Sequence, residues 1–304
     1  MYASHFGLTE LPFSITPDTS FFYGHSSYQD ALNTLLVSVR SGEGFIKVVG
    51  EVGTGKTLLC RKLLASLEED FVTAYIPNPY LEPMTLLLAV ADELGVAYGG
   101  QANQHHLLKS ITSFLVDVHA RGRRVVLCLD EAQAMPIETL EALRLLSNLE
   151  TERRKLLQVV LFGQPELDAR LDDPSIRQLR QRISFSCNLG AMSVEDVEYY
   201  VAHRLGVAGY RGPRLFSREA VHTLHRASRG IPRLVNVLAH KAMIAAFGEG
   251  VHLVGMRYVK EAVADTESTR RRLTPQRVRI IKAAAAVLAL LLMSAGMLMW
   301  RIRA

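Results

Sequence analysis

The stretch Gly50-Glu51-Val52-Gly53-Thr54-Gly55-Lys56-Thr57 matches the phosphate-binding loop pattern, Gly, four residues, then Gly-Lys-Ser/Thr, without a mismatch. Before it, Gly44-Phe45-Ile46-Lys47-Val48-Val49 reads as a buried strand; after it, Leu58-Leu59-Cys60-Arg61-Lys62-Leu63-Leu64 reads as a helix. Glycines let backbone wrap closely around a polyphosphate. Amides of residues 50–58, from Gly50 through Glu51, Val52, Gly53, Thr54 and Gly55 to Leu58, can then donate to anionic oxygens, aided by the helix dipole. Lys56 is expected to reach the β- and γ-phosphates, and Thr57 to place its hydroxyl on Mg²⁺, a hard cation that prefers oxygen.

A second motif supports the first. The apolar run Val125-Val126-Leu127-Cys128-Leu129 feeds Asp130-Glu131-Ala132-Gln133, the Walker B arrangement. Asp130 is expected to hold the Mg²⁺ assembly, directly or through water, and Glu131 to orient and polarise the attacking water. Residues 156–162 form a further strand followed by Gly163-Gln164-Pro165-Glu166-Leu167, at the edge where parallel α/β sheets bind ligands, which makes Gln164 the γ-phosphate sensor. Arg177, Arg180 and Arg182 stand just before a last strand at 183–188. One of them, supplied in trans to a neighbour's γ-phosphate, would stabilise transition-state charge; the alternative for each is a solvated basic helix face.

The rest of the chain arranges itself around this core. Residues 6–23 form an irregular Pro- and aromatic-rich arm, and Ser26 with Gln29 reads as a capping box opening a helix. Residues 71–76 read as a strand, with helices near 84–94 and 107–118; His105 and His106 read as loop or helix-start residues, not metal ligands. From Ser193 the pattern is helical only, at 194–205, 217–228, 231–247 and 256–264, which reads as a small lid. Gly230-Ile231-Pro232-Arg233 opens its third helix and points Arg233 toward the phosphates, with Arg229 as competitor; His222 and His225 lack a third metal ligand.

Residues 283–300 carry no charge and are long enough to span a bilayer. The cations Arg270, Arg271, Arg272, Arg277, Arg279 and Lys282 precede them, against Arg301 and Arg303 after, so the positive-inside rule puts the globular part in the cytoplasm; the alternative is an oily buried or interfacial helix. Much of the net charge of +5 sits at this cluster, which points to a membrane surface more than to nucleic acid. Cys60, Cys128 and Cys187 are scattered through apolar runs and suggest neither a disulfide framework nor a zinc site. The N-terminus has no secretory signal pattern.

Together these residues resemble the additional-strand P-loop ATPases of the AAA+ class, and within it the family of the type II secretion ATPase ExeA and the MSHA pilus biogenesis protein MshM. Beyond the loop and Asp130-Glu131-Ala132-Gln133, the discriminating marks are Leu11-Pro12-Phe13-Ser14-Ile15-Thr16-Pro17-Asp18, Gly163-Gln164-Pro165-Glu166-Leu167 and Gly230-Ile231-Pro232-Arg233. The resemblance implies an α/β parallel-sheet core with a helical lid, ATP and Mg²⁺ as cofactors, ATP hydrolysis, and a homo-oligomeric ring such as a hexamer. It also implies inner-membrane pilus or secretion assembly proteins as partners, at the bacterial inner membrane. Arms of this type pack beside adenine, so His25 is either a base contact or a solvated turn histidine. Secretion members carry a long periplasmic part that binds peptidoglycan, whereas this chain stops four residues after Trp300, which favours the pilus branch. Alternatives are a DNA-bound AAA+ transposition regulator and a membrane scaffold that binds ATP without turnover. The expected organisation is an arm at 1–25, the ATPase core at 26–190, the lid at 191–266, a basic linker at 267–282, the membrane helix at 283–300 and a tail at 301–304.

Overall fold

The computed structural model describes residues 2–16, 19–99, 103–146, 149–150 and 155–267. The account below concerns the compact unit Met1–Ala262. The apolar run at 283–300 lies outside the described residues; among those described, no helix is long and apolar enough to cross a membrane.

A short helix α1 (Tyr2–His5) and the arm lead to α2 (Ser26–Ser41) and β1 (Phe45–Val49). Then come α3 (Lys56–Ser66), β2 (Phe71–Ile76), α4 (Pro83–Leu94), α5 (Gln104–Ala120), β3 (Arg124–Leu129), α6 (Ile137–Leu146) and β4 (Leu157–Gly163). The short helices α7 (Glu166–Leu171) and α8 (Arg177–Gln181) precede β5 (Ile183–Asn188). The described strands pair in parallel, in the order β2-β3-β4-β1-β5. Covered on both faces, β4 is buried throughout and apolar except for Gln158, whose Nε2 donates to Val39 O and Glu43 O, whereas the edge strand β5 is mostly exposed.

Side-chain alternation along the strands divides the core into two layers. Val125, Leu127 and Leu129 of β3 and Val159 and Leu161 of β4 join Leu86, Leu107, Ile111 and Leu140 of α4, α5 and α6. Val126, Cys128, Val160 and Phe162 face the other way and join Leu35 of α2 and Leu59 and Leu63 of α3. The same parity, carried one residue beyond β3, delivers Asp130 to the α3 side of the sheet. Glu131, next in line, turns away in the left-handed region at φ 54°. Such a conformation is costly for a residue with a Cβ and marks a functional position when it occurs at one.

Helices α9 (Val194–Val207), α10 (Arg218–Ser228), α11 (Pro232–Gly248) and α12 (Met256–Ala264) follow the last strand. Ser193 and Asp196 form a reciprocal capping box at α9, Ser217 caps α10, and Pro232 occupies the first turn of α11, where its missing N–H is no loss. The arm is fastened to these helices: Phe13 meets Phe216 edge-on at 6.0 Å, Thr9 N donates to Ala208 O at 2.9 Å, and Tyr2 OH lies 2.8 Å from His240 Nδ1.

Two sequence expectations need correction. The capping box at Ser26 does not form: His25 is the N-cap of α2 and its side chain makes no capping bond. Instead Gln29 folds over Gly24, where an added Cβ would lie 2.2 Å from Gln29 Nε2. The sequence reading also passed over α6, although Pro136 and the spacing of Leu140, Leu143 and Leu146 are helix signals.

Candidate active site

The loop between β1 and α3 holds its shape through glycine. Gly53 and Gly55 adopt φ 84° and 102°, and a Cβ on Gly50 would lie 2.8 Å from Thr54 Oγ1 and 2.9 Å from Leu189 O. Gly55 is the N-cap of α3 and offers no side chain, so the amides of the first turn remain directed at the space beyond the helix. Lys56 is buried in the loop, its Nζ donating to Gly50 O at 2.7 Å and Glu51 O at 3.0 Å. Burial lowers its pKa from the ordinary value, opposed by nearby Glu131 and Asp130. A buried ammonium surrounded by loop carbonyls, beside amides aimed outward, is the donor set a polyphosphate requires.

Across the sheet, Thr57 Oγ1 donates to Asp130 Oδ2 at 2.6 Å, and Asp130 Oδ1 accepts from Glu131 N at 3.0 Å. Burial raises the Asp130 pKa while these hydrogen bonds restrain it. Tyr75, beside this carboxylate, has its phenol pushed up to about 12, first by burial and then by the Asp130 charge. The hydroxyl of Thr57 and the carboxylate of Asp130 form a hard-oxygen pair suited to Mg²⁺. Among the described residues, no cluster of three or more His, Cys, Asp or Glu could hold a metal by itself.

Glu131 is held from the side of the inserted strand β4. Its Oε2 accepts from Gln133 Nε2 at 2.5 Å and from Gln164 Nε2 at 3.0 Å, and Gln164 N in turn donates to Gln133 Oε1 at 2.9 Å. Gln164 thus touches the carboxylate, while it is Glu131 that lines the cavity. Gln133 was quoted in the sequence only as part of the acidic motif; its amide two residues after Glu131 was the available signal.

A cavity of about 330 Å³ opens beside the loop, lined by Gly53, Gly55, Lys56, Thr57, Leu58 and Glu131 from the core and by Arg233 from the start of α11. Val52 also lines it, whereas Glu51 and Gly50 contribute backbone behind it. Arg233 N donates to Gly53 O at 3.2 Å, and a Cβ on Gly53 would lie 2.6 Å from Arg233 Cβ, so the loop glycine makes room for the start of α11. Arg229, the sequence competitor, is exposed at the end of α10 and does not line the cavity.

His25 is not a solvated turn residue. It is buried, burial lowers its pKa, and it lines a second, small cavity of about 50 Å³ with Thr54, Gly55 and Leu58. The sequence reading missed Arg204, a buried guanidinium lining both cavities. Arg177 and Arg180 are exposed on α8, Arg180 paired with Asp172 at 2.6 Å, and neither lines either cavity; Arg182 follows α8 and is half-buried.

The fold is an AAA-type α/β fold with a P-loop: a five-stranded parallel sheet with β4 inserted between β1 and β3, the loop following β1 and the acidic pair following β3. The family model for the AAA domain matches residues 39–171. The chain is similar to general secretion pathway protein A of Aeromonas hydrophila, 43% identical over 288 residues, 95% of this chain and 52% of that protein. It therefore spans about half the length of that relative. Among solved structures it resembles Cdc6p of Pyrobaculum aerophilum, with a TM-score of 0.61 and 18% identity over 86% of this chain and 70% of that one. The ORC2 protein of Aeropyrum pernix gives 0.58 and 17% over 82% and 72%, and the RuvB branch migration motor of Thermotoga maritima 0.52 and 16% over 80% and 70%. At these identities the likeness is one of fold.

Proposed function

We propose that this chain is an Mg²⁺-dependent ATPase that works as a membrane-anchored ring at the bacterial inner membrane, its ATPase domain on the cytoplasmic side. There it would drive or regulate assembly of a secretion or type IV, MSHA-like, pilus complex. The observation that carries the ATPase reading is the constellation of Lys56 on the loop, Thr57 bonded to Asp130, and Glu131 held by Gln133 and Gln164. The secretion reading is supported by the similarity to general secretion pathway protein A over nearly the whole chain, and the anchor by the uncharged run at 283–300.

In this reading the loop amides and Lys56 bind the triphosphate, Thr57 and Asp130 hold Mg²⁺, and His25 contacts the base. Mg²⁺ supplies charge neutralisation of the phosphoryl oxygens when bound. Glu131 accepts two amide hydrogen bonds at Oε2, and its Oε1, which has no partner among the described residues, orients a water for in-line attack. Arg233, on the lid, reports the nucleotide state, and an arginine among Arg177, Arg180 and Arg182 completes a neighbour's site.

Two substitutions test the assignment together. Lys56→Ala should abolish ATP binding, measured by titration calorimetry, whereas Glu131→Gln should bind ATP normally and lose single-turnover hydrolysis. Wild-type turnover in Glu131→Gln would remove Glu131 from its role. For the anchor, truncation before Lys282 should release a nucleotide-binding protein from membranes; full-length protein recovered in the soluble fraction without detergent would refute it.

A further inference from the structure

Two further cavities adjoin each other on the helices that follow the sheet, and they share no residue with the cavity beside the Lys56 loop. The first, of about 350 Å³, lies between α9 and α10 over Val201, Leu205, Leu215, Phe216 and Val221, all buried. Its two charged residues, Glu198 and Arg214, pair with each other, so the hollow is in effect apolar. Gly206 of α9 also lines it, and a Cβ there would meet nothing within 4 Å. The second cavity, of about 410 Å³, is cationic. His5, Arg211 and His252 line it, and no carboxylate is among its lining residues. His5 and His252 stack with ring centroids 4.2 Å apart, and His5 Nε2 lies 3.3 Å from Val251 O. Arg211 is exposed and has no ion-pair partner among the described residues. Tyr210, Gly212 and Leu215 belong to both cavities. A Cβ on Gly212 would stand 2.6 Å from the Tyr210 hydroxyl, so it is glycine that lets the shared phenol lie there.

Both cavities are tied to the segment that leads into α12. Val254 N donates to Leu215 O at 2.8 Å, and Ser217 N donates to Val254 O at 3.1 Å. Leu253 and Met256 of that segment are exposed, and so is Phe247, whose ring lies 5.3 Å from that of His5. Apolar side chains therefore stand in the open beside the cationic cavity. After α12 the sequence runs into the Arg-rich stretch that precedes the uncharged run at 283–300. Residues 265–282 span no more than about 65 Å even if fully extended, so an anchor at 283–300 keeps these cavities near the bilayer.

We propose that the paired cavities bind an anionic phospholipid, its phosphate held by Arg211, His252 and the Tyr210 hydroxyl and an acyl chain laid over Val201, Leu205 and Phe216. A small anion would use only the cationic half, and a purely apolar ligand only the other. A molecule with an anionic head and an apolar chain uses both, and guanidinium is the side chain best matched to a phosphate. A zwitterionic lipid would bring an ammonium into a site that offers it cations and no free carboxylate. The anionic surface of a cytoplasmic leaflet supplies such heads and attracts the Arg-rich stretch as well. The proposal rests on the membrane-anchored reading of the chain, which the test separates from it.

Full-length protein is mixed with vesicles of phosphatidylcholine, alone or in equal parts with phosphatidylglycerol, and flotation is read together with amide hydrogen exchange. Exchange at residues 208–216 and 250–255 should be about tenfold slower with phosphatidylglycerol than without it, the scale of one charge-assisted hydrogen bond. Arg211→Glu should remove this slowing. Gly206→Leu, which fills the apolar cavity from a helix position where glycine is the poorer residue, should remove it too while keeping or raising the Tm. Neither residue lines the nucleotide cavity, so ATP binding should stay as in the wild type. Glycerol 3-phosphate, a head without a chain, should not reproduce the slowing with phosphatidylcholine vesicles; if it does, the site takes small anions and the proposal is overturned. Equal exchange in the two kinds of vesicle, or slowing that survives both substitutions, overturns it as well. The anchor fails separately. Flotation with phosphatidylglycerol vesicles alone, lost in Arg211→Glu, would keep the lipid site and refute the anchor at 283–300, whereas flotation with neither kind refutes both.

Discussion

Gln164 Nε2 lies 3.0 Å from Glu131 Oε2, a bond that crosses from the end of β4 to the residue after the β3 acid. With Gln133 on the same oxygen, it fixes a carboxylate whose backbone sits in the left-handed region, where a residue with a Cβ is held only by its surroundings. Gln164→Ala should therefore leave ATP binding intact and lower kcat about 10²-fold, the scale expected when a catalytic group shifts by about 1 Å. Gln133→Ala should do the same, and the double variant should cost less than the product because both act on one oxygen. Steady-state kinetics with a direct binding measurement checks this; a rise in KM alone would assign Gln164 to phosphate binding.

Two buried charges at the site work against stability until a ligand arrives. Asp130 has its pKa raised, first by burial. A carboxyl raised above its unfolded value near 3.8 contributes stability that is complete below that value and is lost as pH climbs through the folded pKa. The ionised Asp130 of the free protein is thus a cost at pH 7. Asp130→Asn should raise the Tm of the nucleotide-free protein at pH 7, the gain shrinking to nothing as pH falls toward the unfolded pKa, and should abolish the Mg²⁺ dependence of binding. Thermal melts from pH 3.5 to 7 measure the trend; a gain that grows on acidification would contradict the burial account.

How much of this was legible in the chain depends on where the information lay. The positions of Asp130, Glu131 and Gln164 were readable because each lies within two residues of the end of a buried strand, and those of Lys56 and Thr57 because the spacing of the loop motif sets them at the start of α3. Arg204 was not. It sits at ordinary helical spacing, and what distinguishes it is the closing of the arm over α9 and α11, through Arg204 to Pro12 O and Asn236 Nδ2 to Ser14 O at 3.4 Å. No local pattern encodes that contact. His25 fell between, since the sequence marked the junction but burial decided between its two readings.

The turn from α10 into α11 holds a glycine that leaves no slack. Gly230 has φ 72°, and a Cβ there would lie 2.1 Å from Met192 O, while Gly230 O accepts from Met192 N at 2.9 Å. Gly230→Ala combines left-handed strain with a backbone clash and should destabilise the protein by about 3 kcal/mol. Denaturant unfolding measures this. It should also weaken ATP binding, because Arg233 follows three residues later; a loss under 1 kcal/mol would mean that the Met192 segment shifts freely.

The remaining prediction concerns the arginines that precede β5. Parallel pairing sets Ile183 beside Phe45 and Asn188 beside Val49, so the start of β5 lies at the far end of β1 from the loop, about 16 Å away at the usual rise per residue. Arg182, next to the start of β5, is thus set about a strand's length from the chain's own loop, and neither it nor Arg177 nor Arg180 lines the cavity beside that loop. Among the described residues Arg180 is engaged in an exposed pair with Asp172, which is readily broken at an interface. If one of these residues reaches a neighbour's γ-phosphate, ATPase activity per chain should rise with protein concentration, and replacing that arginine by Ala should lower kcat about 10³-fold with ATP binding unchanged. Mixing the arginine variant with Lys56→Ala should restore part of the activity, since subunits with an intact loop would then border subunits with an intact arginine. Activity proportional to concentration down to monomeric dilutions, with all three single variants at the wild-type rate, would show that the site is complete within one chain and that α8 presents no more than a solvated basic face.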